Sequence, residues 1–573
     1  MTKKSCLSAL LILFFLWIMS FPLINFGQER SIRPRYGGVF RLKSFTTSFK
    51  MQLDPAHPDS SIFISEQIFD GLVRLDKDLN PVPSLAEYWK ISSDSTKYTF
   101  YLRKGVRFHN GDELTAEDVK FSLERLIDRE TGSPYYQFFL PRVVGAQEFR
   151  EGRAAEVEGF KAIDKYTFEI DWIEPYVSAL YLMSMHFCKI LPRERVKGRE
   201  KRFFERPFGT GPFAYDSLMM APVGDVVGIR LKRNESYFGG RAYLGAIEFS
   251  PHFTLEHFLN GEIDSIPVVS DKLLSPDFQV FQDGSLHPIY LGMSCHIPPL
   301  DRQVVRKAIA YALDKRDLAR DTFDLRYVRD VSNNYIPPRL PRFFPREDAE
   351  GVNPLKAKQL LQEAGFSEGN EFPTLSFLID LPKTDLKFKI YRALRKQLDP
   401  LGIRLKLNYY NSLEEIKRYD GPYLIFLGRV MNFPDPEDII RPLFFSKSVF
   451  NVFGYNNPEL DELLHKAEVE SSWTKRINFF HQIEQILIRD VPCLPLFSHQ
   501  NRVAMQPYVR GVEVPPLDFI IWMPERYGWI NKKNDEVANI PSDEVHALCD
   551  CSSLCARGHD SFYNREERDQ SDF

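Results

Sequence analysis

The chain lacks the residue patterns of the common catalytic and phosphate-binding sites. Its 573 residues contain no His-Glu-x-x-His, Gly-x-Ser-x-Gly, Gly-x-Gly-x-x-Gly or Gly-x-x-x-x-Gly-Lys-Ser/Thr motif. The sequence nearest to a phosphate loop, Gly209-Thr210-Gly211-Pro212, contains a proline, which removes an amide donor that such a loop needs. These absences favour a protein that is not an enzyme.

An excess of charge of one sign is also lacking. The chain carries 74 Lys and Arg against 78 Asp and Glu, and its formal net charge is -4. Residues 1–30 contribute about +2 and residues 531–573 about -5, so residues 31–530 are nearly neutral. A protein that binds nucleic acid needs a basic face to neutralise phosphates. Nucleic acid is therefore not expected as a partner.

Cysteine is scarce in the part of the chain that is expected to fold. Of seven cysteines, only Cys188, Cys295 and Cys493 lie there, which excludes a disulfide framework. Three others lie near the C-terminus beside two histidines, where the residue types suit zinc but the spacing is not that of a standard zinc finger. We predict no metal site and no cofactor, and zinc binding in the tail stays open as the alternative.

The N-terminus has the layout of an export signal. Lys3-Lys4 is followed by an uncharged run from Leu7 to Ile18, as in a secretory signal peptide. The apolar stretch can be extended through Phe26 to about 20 residues, which is long enough to span a bilayer. Residues 1–30 are therefore predicted to be a signal peptide or an uncleaved N-terminal membrane anchor. The expected location is periplasmic or extracytoplasmic, with a tether if the segment is retained.

Strand and helix patterns are mixed along the rest of the chain. The segments Tyr98 to Leu102 and Tyr166 to Trp172 alternate polar and apolar residues, which predicts half-buried strands. Thr115, with Asp118 three residues later, predicts the start of a helix, and Val304 to Leu313 is an amphipathic helix. The mixture predicts an α/β fold. Residues 531–573 are polar and acidic, and we predict a disordered tail.

Six short motifs follow one another along the chain. They are Leu53-Asp54-Pro55, Phe69-Asp70-Gly71-Leu72-Val73, Arg107-Phe108-His109-Asn110-Gly111-Asp112, Phe208-Gly209-Thr210-Gly211-Pro212-Phe213, Gly261-Glu262-Ile263-Asp264 and Asn457-Pro458-Glu459-Leu460. Together they resemble the bacterial extracellular solute-binding proteins of family 5, which include the oligopeptide-, dipeptide- and nickel-binding proteins of ABC importers. The resemblance covers roughly residues 37 to 530 and keeps the family's order of motifs.

The resemblance implies a large two-lobed periplasmic-binding-protein type II fold of the α/β class, with an inserted subdomain in the first lobe. By this resemblance, residues 36–54, 206–268 and 497–530 form the first lobe. Residues 55–205 form its inserted subdomain, and residues 269–496 form the second lobe. The two crossovers between the lobes are expected near residues 266–270 and 495–498.

The resemblance also implies a function. The chain is expected to be the substrate-binding component of a peptide-type ABC importer, which captures a peptide or peptide-like solute between two lobes by hinge closure. Its expected partners are the solute and the permease subunits of the transporter, and the protein is expected to be a monomer. The alternatives are a binder of a non-peptide solute with an anionic or neutral end group, and a membrane-tethered solute sensor with the same fold.

Three segments are implied to contact the ligand. They are the loop after the Leu-Asp-Pro motif, the Ser133-Pro134-Tyr135 segment, and a loop of residues 428–436 that begins with a glycine and is called here the glycine-led loop. The residues expected to bind ligand are His57, Ser60, Tyr135, Gly428, Arg429, Val430, Met431, Asn432 and Asp435. Main-chain groups of residues 429–431 would pair with a peptide as an added strand.

The glycine-led loop departs from the family pattern at two positions. Peptide-binding members commonly carry a Trp directly after the glycine and, three residues later, an Asp that pairs with the peptide's α-ammonium group. This chain has Arg429 and Asn432 there. Replacing a charged acceptor by a neutral one costs about 1–2 kcal/mol of binding to an ammonium group. Either the pocket prefers a solute with an anionic or neutral end, or Arg429 points outward and Asp435 or Glu437 supplies the charge.

Overall fold

A computed structural model describes most of the chain between Arg35 and Val512, together with Trp529 and Ile530. The segments outside the described residues are 1–34, 44–51, 58–59, 269–270, 283–285, 323–327, 332, 339, 341–342, 344–350, 368–370, 381–384, 430, 500–501, 513–528 and 531–573. The predictions for the N-terminal segment 1–30 and the tail 531–573 therefore fall outside them. Within the described part of the chain, none of the helices has the length and apolar character needed to cross a membrane.

A seven-stranded mixed sheet, called here the first sheet, gathers strands from distant parts of the chain. Val39–Lys43 lies near its centre and pairs in parallel with Ala246–Ser250, whereas the neighbouring hairpin is antiparallel. Apolar residues of this sheet, such as Phe40 and Ile247, are buried in one core. In spatial order the strands are Gln279–Gln282, Arg502–Met505, Ser265–Pro267, Val39–Lys43, Ala246–Ser250, Val226–Arg233 and Phe213–Met220.

A four-stranded antiparallel sheet lies in the segment predicted to be the inserted subdomain. Its spatial order is Ala86–Ile91, Lys97–Leu102, Thr167–Asp171 and Phe160–Asp164. The strand Lys97–Leu102 alternates half-buried and buried residues, which confirms the predicted strand there. Helices and short strands complete this region: Ile62–Ile68, Val73–Leu75, Pro81–Pro83, Ala116–Ile127, Pro134–Phe138 (a 3-10 helix), Ala146–Arg150, Ala179–Met183, Arg193–Val196 and Glu200–Glu205.

The helix Ala116–Ile127 begins as the sequence predicts. The backbone N–H of Thr115 donates to Asp118 Oδ2 at 2.9 Å, and together the two residues form a capping box. The buried face of this helix, with Val119 and Leu123, packs into the core of the four-stranded sheet.

A six-stranded sheet, called here the second sheet, forms the centre of the rest of the molecule. Its spatial order is Val328–Val331, Cys493–His499, Pro288–Met293, Tyr423–Gly428, Leu375–Asp380 and Leu405–Tyr410. The central strand Pro288–Met293 is buried along its whole length, as expected for a strand covered on both faces. The helices around it are Gln303–Ala312, Lys315–Thr322, Pro354–Glu363, Asp385–Leu398, Leu413–Lys417, Glu437–Phe444, Pro458–Val469 and Trp473–Asp490.

The remaining short elements are the helix Leu255–Leu259, two 3-10 helices and a small strand pair. The 3-10 helices are Asp271–Leu274 and Asp399–Leu401, and Val509–Arg510 pairs with Trp529–Ile530.

The chain passes between the two large sheets at positions that differ from the expected ones. Gln279–Gln282 pairs with Arg502–Met505 in the first sheet, and Cys493–His499 pairs with Pro288–Met293 in the second sheet. Residues 279–282 therefore lie with the first sheet, although the resemblance assigned them to the second lobe. Residues 497–499 lie with the second sheet, although they were assigned to the first lobe. The chain therefore leaves the first sheet after Gln282 and enters the second at Pro288, and it leaves the second sheet after His499 and re-enters the first at Arg502.

Candidate ligand-binding site

The glycine-led loop continues the strand Tyr423–Gly428 of the second sheet. The N–H of Arg429 donates to the carbonyl of Pro288 at 3.0 Å, and the N–H of Met431 donates to the carbonyl of Leu286 at 3.2 Å. Successive peptide groups of an extended strand point to opposite sides. The N–H groups of Arg429 and Met431 are therefore used within the protein and cannot pair with an added strand, contrary to the expectation. Val430 lies outside the described residues.

Glycine at position 428 makes room for a histidine side chain. A Cβ atom built on Gly428 would lie 2.8 Å from Nε2 of His287, a separation that real Cβ atoms essentially never show. The missing side chain thus lets His287 pack against the end of the strand. Gly428 has a packing role here, and the half-buried His287 is a neighbour that the sequence motifs did not reveal.

Asp438 binds both residues of the loop that depart from the family pattern. Nη2 of Arg429 donates to Asp438 Oδ1 at 3.0 Å, and Nδ2 of Asn432 donates to the same oxygen at 2.9 Å. The backbone N–H of Asn432 donates to Oδ2 of Asp438. Burial raises the pKa of the Asp438 carboxyl, and the Arg429 cation opposes that rise. Arg429 is consequently neutralised inside the loop, and the group that Asn432 retains for a ligand is its acceptor oxygen Oδ1.

The two carboxylates that could have supplied a missing negative charge are occupied by protein groups. Asp435 is 1% exposed. Its Oδ1 accepts from Nη2 of Arg476 at 2.9 Å, and its Oδ2 accepts from Nη1 of the same residue. Glu437 accepts from Oγ of Ser178 at 2.8 Å and from Nη2 of Arg142 at 3.2 Å. In this arrangement Asp435 supports the loop and does not present a charge to a ligand.

Ser60 is the expected site residue with the clearest unused hydrogen-bonding group. His57 and Ser60 belong to a tight turn in which the N–H of Ser60 donates to the carbonyl of His57 at 3.0 Å. The turn is fixed because Nη2 of Arg125 pairs with Asp54 at 2.7 Å. Oγ of Ser60 is buried and has no hydrogen-bond partner among the residues that the structure describes. Since a buried polar atom without a partner is costly, this hydroxyl is suited to bind a ligand group.

Tyr135 is buried in the core around the four-stranded sheet. Its hydroxyl oxygen lies 3.1 Å from Nε2 of His186, and its ring stacks on Phe187 with 4.1 Å between ring centres. The sequence motifs indicated neither His186 nor Phe187. The only signal is a histidine within the apolar stretch 182–191, a pattern that a satisfied core histidine would also give.

Residues in or next to the three segments expected to contact ligand belong to one hydrophobic core. Ala56, which precedes His57, shares this core with Tyr135 and with Phe433 of the glycine-led loop. The ring of Phe433 stacks on Tyr181 at 6.1 Å between centres. Ala56, Tyr135 and Phe433 therefore belong to the core that also contains the four-stranded sheet, and binding of ligand by the three segments stays a prediction.

Comparison with known proteins places the chain among bacterial solute-binding proteins. Residues 80–451 match the family model of bacterial extracellular solute-binding proteins, family 5 Middle. The chain is 26% identical to Heme-binding protein A of Haemophilus influenzae over 79% of this chain and 86% of that protein. It is 24% identical to Dipeptide-binding protein DppE of Bacillus subtilis over 79% of this chain and 85% of that protein. The structure of HbpA2 from Haemophilus parasuis has the same fold, with a TM-score of 0.72 and 22% identity over 86% of this chain and 100% of that one.

Proposed function

This chain belongs to the bacterial extracellular solute-binding proteins of family 5, and we propose that within this family it captures a peptide or peptide-like solute for an ABC importer. The proposal includes the permease subunits of the importer as partners and a monomeric binding protein. It also includes the N-terminal segment 1–30 as the export signal, which tethers the protein to the membrane if it is retained. The solute is bound and released without covalent chemistry.

The observation that supports this proposal most is that residues from two parts of the molecule share one core. Ala56 and Tyr135 come from the region of the four-stranded sheet, whereas Phe433 comes from the loop that follows the strand Tyr423–Gly428 of the second sheet. A solute that contacts both regions favours the arrangement in which they are close, and only this difference in contacts can shift the equilibrium toward closure. Capture by hinge closure follows from such a site.

The charges of the glycine-led loop favour a solute that offers hydrogen-bond donors. The Arg429 cation is paired with Asp438, so the loop does not present an uncompensated positive charge to an anionic end group. Oδ1 of Asn432 and Oγ of Ser60 can accept hydrogen bonds from an amine or an amide. Both groups suit a peptide-like solute, and the pairing of Arg429 argues against the alternative of an anionic non-peptide solute.

Native mass spectrometry of the full chain purified from its own host tests the proposal. We expect a bound species whose fragments are those of a short peptide or a close peptide derivative. A protein that carries a non-peptide solute, or that cleaves an added peptide library, would contradict the proposed function. The library also serves as the source of ligand if the purified protein is empty.

A further inference from the structure

A cluster of buried charged and polar side chains joins the region of the four-stranded sheet to the helices around the second sheet. We call it the charge clasp. One half comes from residues 142–178 and the other from residues 435–476. The members are Arg142, Tyr176 and Ser178 in the first half and Asp435, Glu437, Arg441, Glu468 and Arg476 in the second.

Hydrogen bonds and ion pairs connect the two halves directly. Nη2 of Arg142 lies 3.2 Å from Glu437 Oε1 and 3.6 Å from Glu468 Oε1. Ser178 has a double role, because its hydroxyl donates to Glu437 at 2.8 Å and accepts from Nη2 of Arg476 at 3.2 Å. The N–H of Val177 also donates to the carbonyl of Glu468 at 3.3 Å. The contact is therefore fixed in position by both side-chain and main-chain groups.

The charges balance only when the two halves are together. The half from residues 435–476 contains three carboxylates and two guanidinium groups. When all of them are ionised, this half by itself has an excess of one negative charge. Arg142 supplies that charge from the other half, where its side chain is 13% exposed. The carboxylates it meets are also buried, and an uncompensated charge in such surroundings is strongly unfavourable. The two halves thus match each other electrostatically.

The course of the chain puts the two halves on opposite sides of the passages between the large sheets. Residues 142–178 lie in the chain between the first-sheet strands Val39–Lys43 and Phe213–Met220, whereas residues 435–476 lie between the second-sheet strands Tyr423–Gly428 and Cys493–His499. Within the described residues, the chain passes between the two sheets twice, between Gln282 and Pro288 and between His499 and Arg502. A rotation of one sheet relative to the other at these two links separates the halves of the clasp.

We propose that the charge clasp is a reversible contact that forms when the two parts of the molecule close and breaks when they open. This inference rests on the hinge closure in the proposed function, but it concerns residues outside the three segments expected to bind ligand, apart from Asp435. Arg142 is its central residue, because Arg142 alone completes the charge of the opposite half. Breaking the clasp exposes its charges to water, where they are hydrated separately.

Single-molecule energy transfer on the full chain without solute tests the clasp. Dyes are attached through azidophenylalanine at Ile163 and Leu355, two exposed positions on the two sides of the clasp. At about pH 8.5, where Glu437 is ionised, we expect the wild type to exchange between a short and a long distance. Arg142→Met is expected to lower the ratio of the short to the long population by about tenfold or more, because it leaves buried carboxylates unpaired.

A compensating variant and a matched control make the result specific. Glu437→Gln in the Arg142→Met background removes one negative charge along with the positive one, so we expect it to recover much of the short-distance population. Arg195→Met removes an arginine from an exposed ion pair with Asp112 in the same region, and no change is expected. If Arg142→Met does not fold, Glu437→Gln alone carries the test. At about pH 8.5 it replaces a buried carboxylate by a neutral side chain, as protonation would, so it is expected to raise the ratio of the short to the long population.

The proposal is overturned by three results. The first is a single short distance that neither Arg142→Met nor Glu437→Gln changes, which would make the clasp a permanent contact. The second is a single long distance in the wild type, which would mean that the clasp does not form in solution. The third is an equal shift in Arg142→Met and in Arg195→Met. Because no solute is present, these outcomes are independent of whether the protein binds peptides.

Discussion

At the residue scale, a substitution of Ser60 allows the effect of its hydroxyl on ligand affinity to be measured separately from its effect on protein stability. Ser60→Ala removes a buried oxygen for which the described part of the chain offers no hydrogen-bond partner. Without ligand we therefore expect an unchanged or slightly higher melting temperature, since no hydrogen bond is lost. If the hydroxyl binds the solute, affinity for the peptide identified by mass spectrometry falls by about 0.5–1.5 kcal/mol. Calorimetry and thermal melts measure the two effects.

Ser122→Ala is the control for this experiment. Oγ of Ser122 is also buried, but it donates to the carbonyl of Asp118 at 2.6 Å and accepts from the N–H of Leu191 at 2.8 Å. We expect this variant to lose about 1 kcal/mol of stability and to keep its affinity. A loss of stability without a loss of affinity in Ser60→Ala would remove Ser60 from the binding site.

Because Asn432 pairs with Asp438, a negative charge at position 432 is expected to affect protein stability as well as peptide affinity. Asn432→Asp alone places a second carboxylate against Asp438, with loss of the hydrogen bond at 2.9 Å, so it is expected to lower stability. The double variant Asn432→Asp/Asp438→Asn exchanges amide and carboxylate. It can keep a hydrogen bond between the two side chains, but it loses one of the two oxygens with which Asp438 accepts from Nη2 of Arg429 and from the N–H of Asn432. We expect it to bind an unmodified tripeptide several-fold more tightly than the wild type does, because a charged acceptor now faces the ammonium group.

An N-acetylated tripeptide is the control ligand for the exchanged pair, because it lacks the ammonium group. Calorimetry of the wild type and the double variant should show a gain for the free amine and none for the acetylated peptide. An equal gain for both tripeptides would contradict the placement of Asn432 at the ammonium end of the solute.

At the element scale, the charge clasp gives the closed arrangement a pH dependence centred on Glu437. Burial, followed by the nearby Glu468, raises the pKa of Glu437 to about 7, and Arg142 opposes the rise. When the halves separate, a hydrated glutamate returns toward its ordinary value of 4.5. The charged or titratable groups that face Glu437 are Arg142, Tyr176, Asp435, Glu468 and Arg476.

The sign of this dependence follows from proton uptake on closing. Because the pKa of Glu437 is higher in the closed state, its contribution to closure is fully present below about pH 4.5 and is lost as the pH rises through about 7. The short-distance population in the energy-transfer experiment should therefore decrease between about pH 5.5 and 8. Glu437→Gln should remove this decrease. A wild type whose populations do not change with pH, or an unchanged slope in the variant, would contradict the assignment to Glu437.

Some helices and strands of this protein could be predicted from sequence patterns, and others could not. Thr115 and Asp118 form a local pair, so their spacing was enough to place the start of the helix Ala116–Ile127. The strand Lys97–Leu102 was predictable because its alternation follows the burial of one face. The strand Gln279–Gln282 carries polar residues at both ends and buries none of its four positions, so no pattern assigned it to the first sheet.

The partners of the glycine-led loop were not predictable for a different physical reason. Arg429 and Asp438 lie within one loop and helix, but a charge count cannot say whether the cation turns inward or toward a ligand. Asp435 was expected to face the solute, yet its partner Arg476 lies 41 residues along the chain. Ser178, which reaches both Glu437 and Arg476, lies on the other side of the passages between the sheets. Pairings of this kind depend on how the folded chain packs. They have no characteristic separation in the sequence by which a motif could be identified.

At the scale of the whole molecule, two large sheets joined by two short passages make closure the simplest motion available. The resemblance to family 5 indicated this architecture from motifs that pack within each part, such as Asp70 with Thr210 at 3.1 Å. It did not indicate the charge clasp, whose two halves come from different parts. Arg142 and Glu437 are 295 residues apart in sequence.

Small-angle X-ray scattering of the full chain with and without bound peptide tests the central claim that solute capture closes the molecule. The probe is the peptide found by mass spectrometry or, for an empty protein, a tripeptide library at saturating concentration, with binding confirmed by native mass spectrometry of the same sample. We predict a smaller radius of gyration in the bound sample. An unchanged radius in a sample that carries bound peptide would contradict capture by closure.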